Sequence, residues 1–130
     1  MRTLSLFILS VLLLAGCQTI SERSDARKLE ITLDSYASAA RWQPLAGLYS
    51  FLQPELQPVA PPAGLADVRV TSYEISVPPH QLAEDRVVQT AVIEYVHVDR
   101  QVVRSLVDNQ LWVRSASGEW LRANPIPSFQ

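Results

Sequence analysis

The chain has little cysteine, little glycine and little histidine, and each low count excludes certain bonds or sites. It holds one cysteine, four glycines and two histidines. One cysteine cannot form an internal disulfide, so the core must rest on packing. The glycines form neither a phosphate loop nor a paired-glycine nucleotide signature, and no serine stands in a G-x-S-x-G turn. The sequence therefore predicts no nucleophilic catalysis, no metal site and no cofactor.

The chain also lacks an excess of positive charge. Its formal net charge is −2, from 11 basic and 13 acidic residues. Proteins that bind nucleic acid usually carry a basic patch, because the phosphate backbone dominates their affinity. We therefore expect no nucleic-acid partner.

The one long apolar run stands near the first residue. Thr3 to Ala15 carry no charge and follow Arg2. These 13 residues would span about 20 Å as a helix, whereas a bilayer core is about 30 Å thick. A basic start, a short apolar stretch and small residues after it are typical of a secretory signal peptide.

The residues that follow carry a more specific motif. Leu14-Ala15-Gly16-Cys17 resembles the lipobox of bacterial lipoproteins. The resemblance implies that a diacylglyceryl group, such as one carrying palmitate, is attached to the sulfur of Cys17, and that a signal peptidase recognises Leu14, Ala15 and Gly16 and cuts after Gly16. Gln18 stands where an Asp would resemble an inner-membrane retention signal, so the resemblance implies the periplasmic face of the outer membrane of a Gram-negative bacterium.

This motif divides the chain into three parts. We expect a signal peptide over 1–16, a lipidated tether over 17–23 and one domain over 24–130. Two or three acyl chains hold a protein on a membrane far more firmly than one chain does. About 114 mature residues can bury one hydrophobic core.

The domain begins with helical patterns. Apolar residues recur with a helical period and form one stripe, namely Leu29, Leu33, Tyr36, Ala37 and Ala40. Gln43-Pro44 ends this helix, because the residue before a proline is pushed away from helical geometry. A second, shorter helix follows, with Leu45, Leu48, Tyr49 and Leu52 on its buried face. Four prolines then make 53–64 an extended loop.

The rest of the domain is β. Alternating apolar residues predict a first strand from Val68, with a bulge at Thr71-Ser72, that ends at Pro78-Pro79-His80. Runs rich in β-branched residues predict strands over 87–98 and 102–113, and a last strand covers 119–123. The fold class is therefore α+β, with two N-terminal helices packed on a curved four-stranded antiparallel sheet.

The order of these elements resembles the NTF2-like (SnoaL-like) cone. The resemblance covers about residues 24–123 and rests on the bend at Ala40-Arg41-Trp42, the helix Leu45-Ala46-Gly47-Leu48-Tyr49 and the closing Trp112…Gly118-Glu119-Trp120-Leu121. The chain departs from that family where the Pro-rich loop replaces a further strand and helix. A cystatin-like roll, also a helix wrapped by an antiparallel sheet, is the alternative.

The long hairpin predicts two faces. With a two-residue turn at Arg100-Gln101, Glu94 lies opposite Val107, on a valine-rich face that we expect to meet the helices. Ser105 and Asn109 lie within reach of its carboxylate. A carboxyl group desolvated in this way has a raised pKa and can act as a general base. Glu94, Ser105 and Asn109 are therefore the candidate pocket residues, although Glu94 could equally reach water or pair with an arginine.

The opposite face of the hairpin is more mixed. Tyr95, His97, Arg104 and Trp112 combine aromatic and cationic groups of the kind enriched at protein interfaces, and ordinary packing is the alternative for Trp112. The sequence thus favours a membrane-anchored periplasmic lipoprotein that acts as a binding or accessory module in an envelope assembly, with a protein partner or a small apolar ligand. One alternative is a small-molecule isomerase or hydrolyase of NTF2-like type with Glu94 as general base, and another is a domain that binds a lipid or a peptidoglycan fragment in the cone.

Overall fold

The computed structural model describes the backbone of residues 2–130 and the side chains from Ile20 onward. The predicted lipobox, including Cys17, lies outside the residues whose side chains are described. Within the described residues, no helix combines the length and the apolar character that crossing a bilayer requires.

A long helix, α1, spans Arg2–Trp42. Residues 20–23, which the sequence assigns to a tether, are helical and continuous with the rest of α1. The predicted apolar stripe is confirmed, since Leu33, Tyr36 and Ala40 are buried in the core. The helix ends at Trp42, immediately before Gln43-Pro44, as the restriction that proline places on the preceding residue requires.

The second predicted helix is present as a 3-10 helix over Leu45–Phe51. Its Leu45 and Leu48 are buried, and Leu52 directly after it is buried as well. The Pro-rich segment is mostly exposed and irregular, with one 3-10 turn at Pro54–Leu56, and a further turn over Leu65–Asp67 leads into the sheet. The short helix thus closes one side of the core that α1 begins.

Four antiparallel strands form one open sheet in the order of the chain. They are β1 (Val68–Ala83), β2 (Arg86–His97), β3 (Arg104–Arg114) and β4 (Trp120–Arg122). The predicted α+β class is therefore confirmed at the level of two helices packed against a four-stranded antiparallel sheet. The two edges of this sheet are β1 and β4.

Strand β1 is longer than the sequence predicts. The predicted bulge is confirmed by a register shift between Val70 and Ser72. The prediction that Pro78-Pro79-His80 ends the strand is wrong, because β1 continues to Ala83. A further register shift, between Val77 and His80, leaves both prolines out of the pairing with β2. An edge strand tolerates prolines at such a shift, since no ladder hydrogen bond needs their missing N–H groups.

The pairing of β2 with β3 differs from the predicted register by two residues. Glu94 lies opposite Ser105 rather than Val107, and Val92 takes Val107 as its partner. The connection is wider than a two-residue turn, with Gln101 in the left-handed region at φ 50°. A shift of two residues preserves the side of the sheet on which each side chain lies, because side chains alternate with a period of two.

The predicted assignment of the two faces is wrong. The side facing α1 carries Ala91, Ile93 and Tyr95 of β2 and Asp108 and Trp112 of β3, all of them buried. The valine-rich side, with Val92 and Val107, lies away from the helices. The prediction placed the core on the side with more valines. The core side instead holds aromatic residues and polar residues that form hydrogen bonds with one another.

Candidate functional site

The three predicted pocket residues lie on the outer side of the sheet. Glu94, Ser105 and Asn109 are all exposed. The hydroxyl of Thr90 donates a hydrogen bond to Asn109 Oδ1 over 3.0 Å. A carboxyl group in contact with water is not desolvated, so the physical basis for Glu94 as a general base is absent. The predicted pocket around Glu94 is therefore corrected to a solvent-facing surface.

The four predicted interface residues do not form one surface either. Tyr95 and Trp112 are buried, His97 is half-buried and Arg104 is exposed. The Tyr95 hydroxyl and Arg104 Nη1 each donate a hydrogen bond of 2.7 Å to the backbone oxygen of Gln130. For Trp112, packing is the correct interpretation. Tyr95 and Arg104 instead hold the segment that ends at Gln130 against the sheet.

In place of these two sites, the interior holds a polar cluster that the sequence interpretation missed. Its centre is an ion pair between Asp108 of β3 and Arg122 of β4, each about 1 % exposed. Arg122 Nη2 donates to Asp108 Oδ1 over 2.6 Å, and Nη1 donates to Oδ2 over 2.9 Å. Paired parallel hydrogen bonds of this kind are the strongest form of an arginine–carboxylate contact.

Helix α1 contributes Tyr36 to this cluster. Arg122 Nη1 also donates to the Tyr36 hydroxyl over 2.6 Å, and the guanidinium lies 5.3 Å from the centre of the Tyr36 ring. Burial and the nearby Asp108 carboxylate raise the pKa of Tyr36 well above its usual value. Burial is the largest single influence on the pKa of Arg122 and acts to lower it, but the hydrogen bond with Asp108 and the charge interactions with Tyr36, Asp108 and Tyr73 together outweigh burial, so the pKa is raised. Tyr36 thus stays neutral and Arg122 stays charged at all ordinary pH values.

A chain of amides extends the cluster across the sheet. Gln110 Nε2 donates to Asp108 Oδ2 over 2.8 Å and to the Tyr73 hydroxyl over 2.7 Å. Gln110 Oε1 accepts hydrogen bonds from Gln89 Nε2 over 2.8 Å and from Trp112 Nε1 over 3.0 Å. Burial raises the pKa of Tyr73 to about 12.

The fully buried atoms of the polar cluster are satisfied from within. Among the described residues, no fully buried side-chain nitrogen or oxygen lacks a hydrogen-bond partner. Buried networks of this kind stabilise and specify a core when every member is paired. One sequence signal could have revealed the cluster: Asp108 and Gln110 alternate with Trp112, and a tryptophan usually lies on the buried side of a strand, with its N–H bonded.

Beside the cluster, α1 and β1 enclose an apolar groove of about 500 Å³, which we call the α1–β1 groove. Leu29, Leu33 and Ala37 line it from the helix, and Tyr73, Ile75 and Gln89 line it from the sheet. Glu30 and Asp34 also border the groove and are exposed. Clefts of this size hold small molecules in many proteins.

A second, more polar cleft of about 740 Å³ opens between α1 and the tip of the β1–β2 hairpin. Asp25 and Arg114, which form a salt bridge, and Trp120 line it, together with His80 and Glu84 from the hairpin. Trp120 Nε1 donates to the backbone oxygen of Asp25 over 3.3 Å. Through the described part of the chain, no three His, Cys, Asp or Glu side chains are grouped closely enough to hold a metal ion.

The outer side of the sheet, which we call the outer sheet face, carries apolar side chains interspersed with polar ones such as Thr90, Glu94 and Asn109. From the strand register its apolar members are Val77, Val88, Val92, Val96, Val107, Leu111, Val113 and Leu121. The most exposed of them are Val107 at 58 % and Val77 at 45 %. No helix or loop named above packs on this face, because α1 and the 3-10 helix lie against the other side.

Comparison of the chain with known proteins does not assign it to a family. No protein-family model matches the chain, and no curated protein or solved structure shows detectable similarity to it. What the chain does must therefore be argued from its own residues.

Proposed function

We propose that this chain is a lipid-anchored envelope protein whose α+β domain is a binding module for a protein partner. The outer sheet face carries this proposal. Exposed apolar side chains grouped on one sheet face often mark an interaction site, and on this face Val77 and Val107 are exposed with no helix packed over them. In the polar cluster, by contrast, each carboxylate and guanidinium group is paired with a neighbour, so the cluster holds the strands together.

The anchor belongs to the same proposal. Leu14-Ala15-Gly16-Cys17 resembles a lipobox, and Gln18 favours the outer membrane with the domain in the periplasm. Asp25, whose carboxylate contacts Arg114 of the domain, follows Cys17 by eight residues. Eight residues of helix span about 12 Å. A lipid on Cys17 would hold the domain close to the membrane surface, where an accessory module meets its machinery.

The finer fold is also part of the proposal. The bend after α1, the short helix at Leu45–Phe51 and the antiparallel meander fit an NTF2-like cone. A cystatin-like roll would share the helix and the sheet. The isomerase hypothesis is not carried further, because Glu94 is exposed on the outer side of the sheet.

Metabolic labelling with palmitate tests the anchor. The wild-type chain should incorporate the label, and Cys17→Ser should not, since the chain has no other cysteine. The matched control is Cys17→Ser/Ser21→Cys, which carries one thiol outside the motif and should stay unlabelled. A labelled Cys17→Ser chain would refute the anchor.

Photo-crosslinking in intact cell envelopes tests the partner surface. A photoreactive residue at Val107 should cross-link one protein, whereas the same residue at Ile31 should not. The two positions are comparably exposed, at 58 % and 54 %, and Ile31 lies on α1 rather than on the outer sheet face. The cross-link at Val107 should also disappear when Val92→Asp places a charge on the same face. Equal cross-linking at both positions would contradict the proposal.

A further inference from the structure

The α1–β1 groove contains a hydrogen-bond acceptor that the domain itself does not use. Gln89 is 3 % exposed, and its Nε2 donates to Gln110 Oε1 over 2.8 Å. Its Oε1 accepts no hydrogen bond from the described residues. Every fully buried side-chain nitrogen or oxygen of the described residues has a hydrogen-bond partner, so an oxygen without one, such as Gln89 Oε1, is not fully buried. Of the clefts described above, Gln89 lines only the α1–β1 groove. A side chain that lines the apolar groove thus has an acceptor that no described residue occupies.

Tyr73 supplies a second polar side chain to the lining of the groove. The Tyr73 hydroxyl accepts its hydrogen bond from Gln110 Nε2, and Tyr73 also lines the groove. A tyrosine hydroxyl is protonated at neutral pH, and burial raises the pKa of Tyr73 further, to about 12, so this hydroxyl places no negative charge in the groove. A groove whose inner end is neutral and polar favours a ligand that places a hydroxyl or an amide group there over one that places a charged group there, because burying a charge without a counter-charge is costly.

The outer border of the groove has the opposite character. Glu30 and Asp34 both line it and are exposed, and no basic side chain lines it. Two carboxylates four residues apart lie on the same side of a helix, so their fields add at the opening. They attract a cation and repel an anion.

We propose that the α1–β1 groove binds an elongated apolar amine that carries a hydrogen-bond donor at the end remote from its charge. The donor would bond Gln89 Oε1, the apolar body would lie between Leu33, Ala37 and Ile75, and the ammonium group would face Glu30 and Asp34. A hydroxyaryl-alkylamine is the simplest molecule of this class. This inference depends neither on lipid at Cys17 nor on a partner at the outer sheet face.

Three soluble probes separate the features of this ligand. Tyramine has the hydroxyl and the ammonium group, phenethylamine lacks the hydroxyl, and 3-(4-hydroxyphenyl)propanoate replaces the ammonium group by a carboxylate. Binding is measured by calorimetric titration of the full chain in nanodiscs, with empty nanodiscs as the blank. Tyramine should bind about fivefold more tightly than phenethylamine, as one net hydrogen bond of about 1 kcal/mol implies, and at least about tenfold more tightly than the propanoate.

Substitutions in α1 locate the binding. Ala37→Phe fills the groove and should abolish tyramine binding, whereas Ser38→Phe places the same ring on the adjacent, exposed residue and should leave it unchanged. Glu30→Gln/Asp34→Asn changes only exposed groups and should remove the preference for tyramine over the propanoate.

The proposal is overturned by any of three results. They are no binding of tyramine at millimolar concentration, equal binding by Ala37→Phe and Ser38→Phe, and a propanoate affinity that matches tyramine in the wild type. Should Ala37→Phe fail to fold by circular dichroism, Glu30→Gln/Asp34→Asn decides the question, because an unchanged preference for tyramine over the propanoate in that variant also overturns the proposal.

Discussion

At the scale of single residues, the most consequential contact is the buried pair of Asp108 and Arg122. Both side chains are almost completely removed from water, so each depends on the other for compensation of its charge. Arg122 also donates Nη2 to the backbone oxygen of Pro125 over 2.9 Å and Nε to that of Asn124 over 3.1 Å. One guanidinium group therefore fixes β3, the Tyr36 side of α1 and the segment that follows β4.

Removing one member of this pair should destabilise the domain strongly. Arg122→Met leaves the Asp108 carboxylate buried without its counter-charge, and we expect a loss of about 3–5 kcal/mol in the free energy of unfolding, measured by urea denaturation. The control is Arg114→Met, which breaks the less buried pair with Asp25 and should cost clearly less than Arg122→Met does. The double variant Asp108→Leu/Arg122→Met should be more stable than Arg122→Met, because it leaves no unpaired charge. Equal losses for Arg122→Met and Arg114→Met would contradict this account.

At the scale of elements, local patterns in the sequence predict most of the fold. The stripe from Leu33 to Ala40, the break at Gln43-Pro44 and the bulge after Val70 each depend on a few adjacent residues, and all three are confirmed. The continuation of β1 past Pro78 is not predictable in this way. It depends on β1 being an edge strand, and the order of strands in a sheet is a long-range property.

The candidate site was far less predictable than the elements, for a physical reason. Hydrophobic periodicity places Val92 and Ile93 on opposite sides of β2 but cannot say which side is buried when both sides are largely apolar. The core side here includes Asp108 and Gln110, whose burial is tolerable only because Arg122 and Tyr73 meet them in space. Such pairing joins residues that are distant in the sequence, so no local pattern reveals it.

At the scale of the whole molecule, the polar cluster joins α1 to all four strands. It draws one or more side chains from α1 and from each of the four strands, namely Tyr36, Tyr73, Gln89, Asp108, Gln110, Trp112 and Arg122. A network shared by all elements makes their loss cooperative, because separating any strand leaves buried polar groups without partners. Global stability should therefore respond to the protonation of the cluster's tyrosines.

That response should appear at alkaline pH. The pKa of Tyr73 is about 12 in the folded chain and about 10 in an unfolded chain, because burial disfavours the tyrosinate. The stabilisation is complete below pH 10 and is lost as the pH rises through 12, since the unfolded chain releases its proton first. Urea denaturation at several pH values from 8 to 12 should show the free energy of unfolding falling above pH 10. The fall should be shallower in Tyr73→Phe, which has no proton to lose at this position, whereas parallel curves for the two proteins would show that Tyr73 does not couple folding to pH.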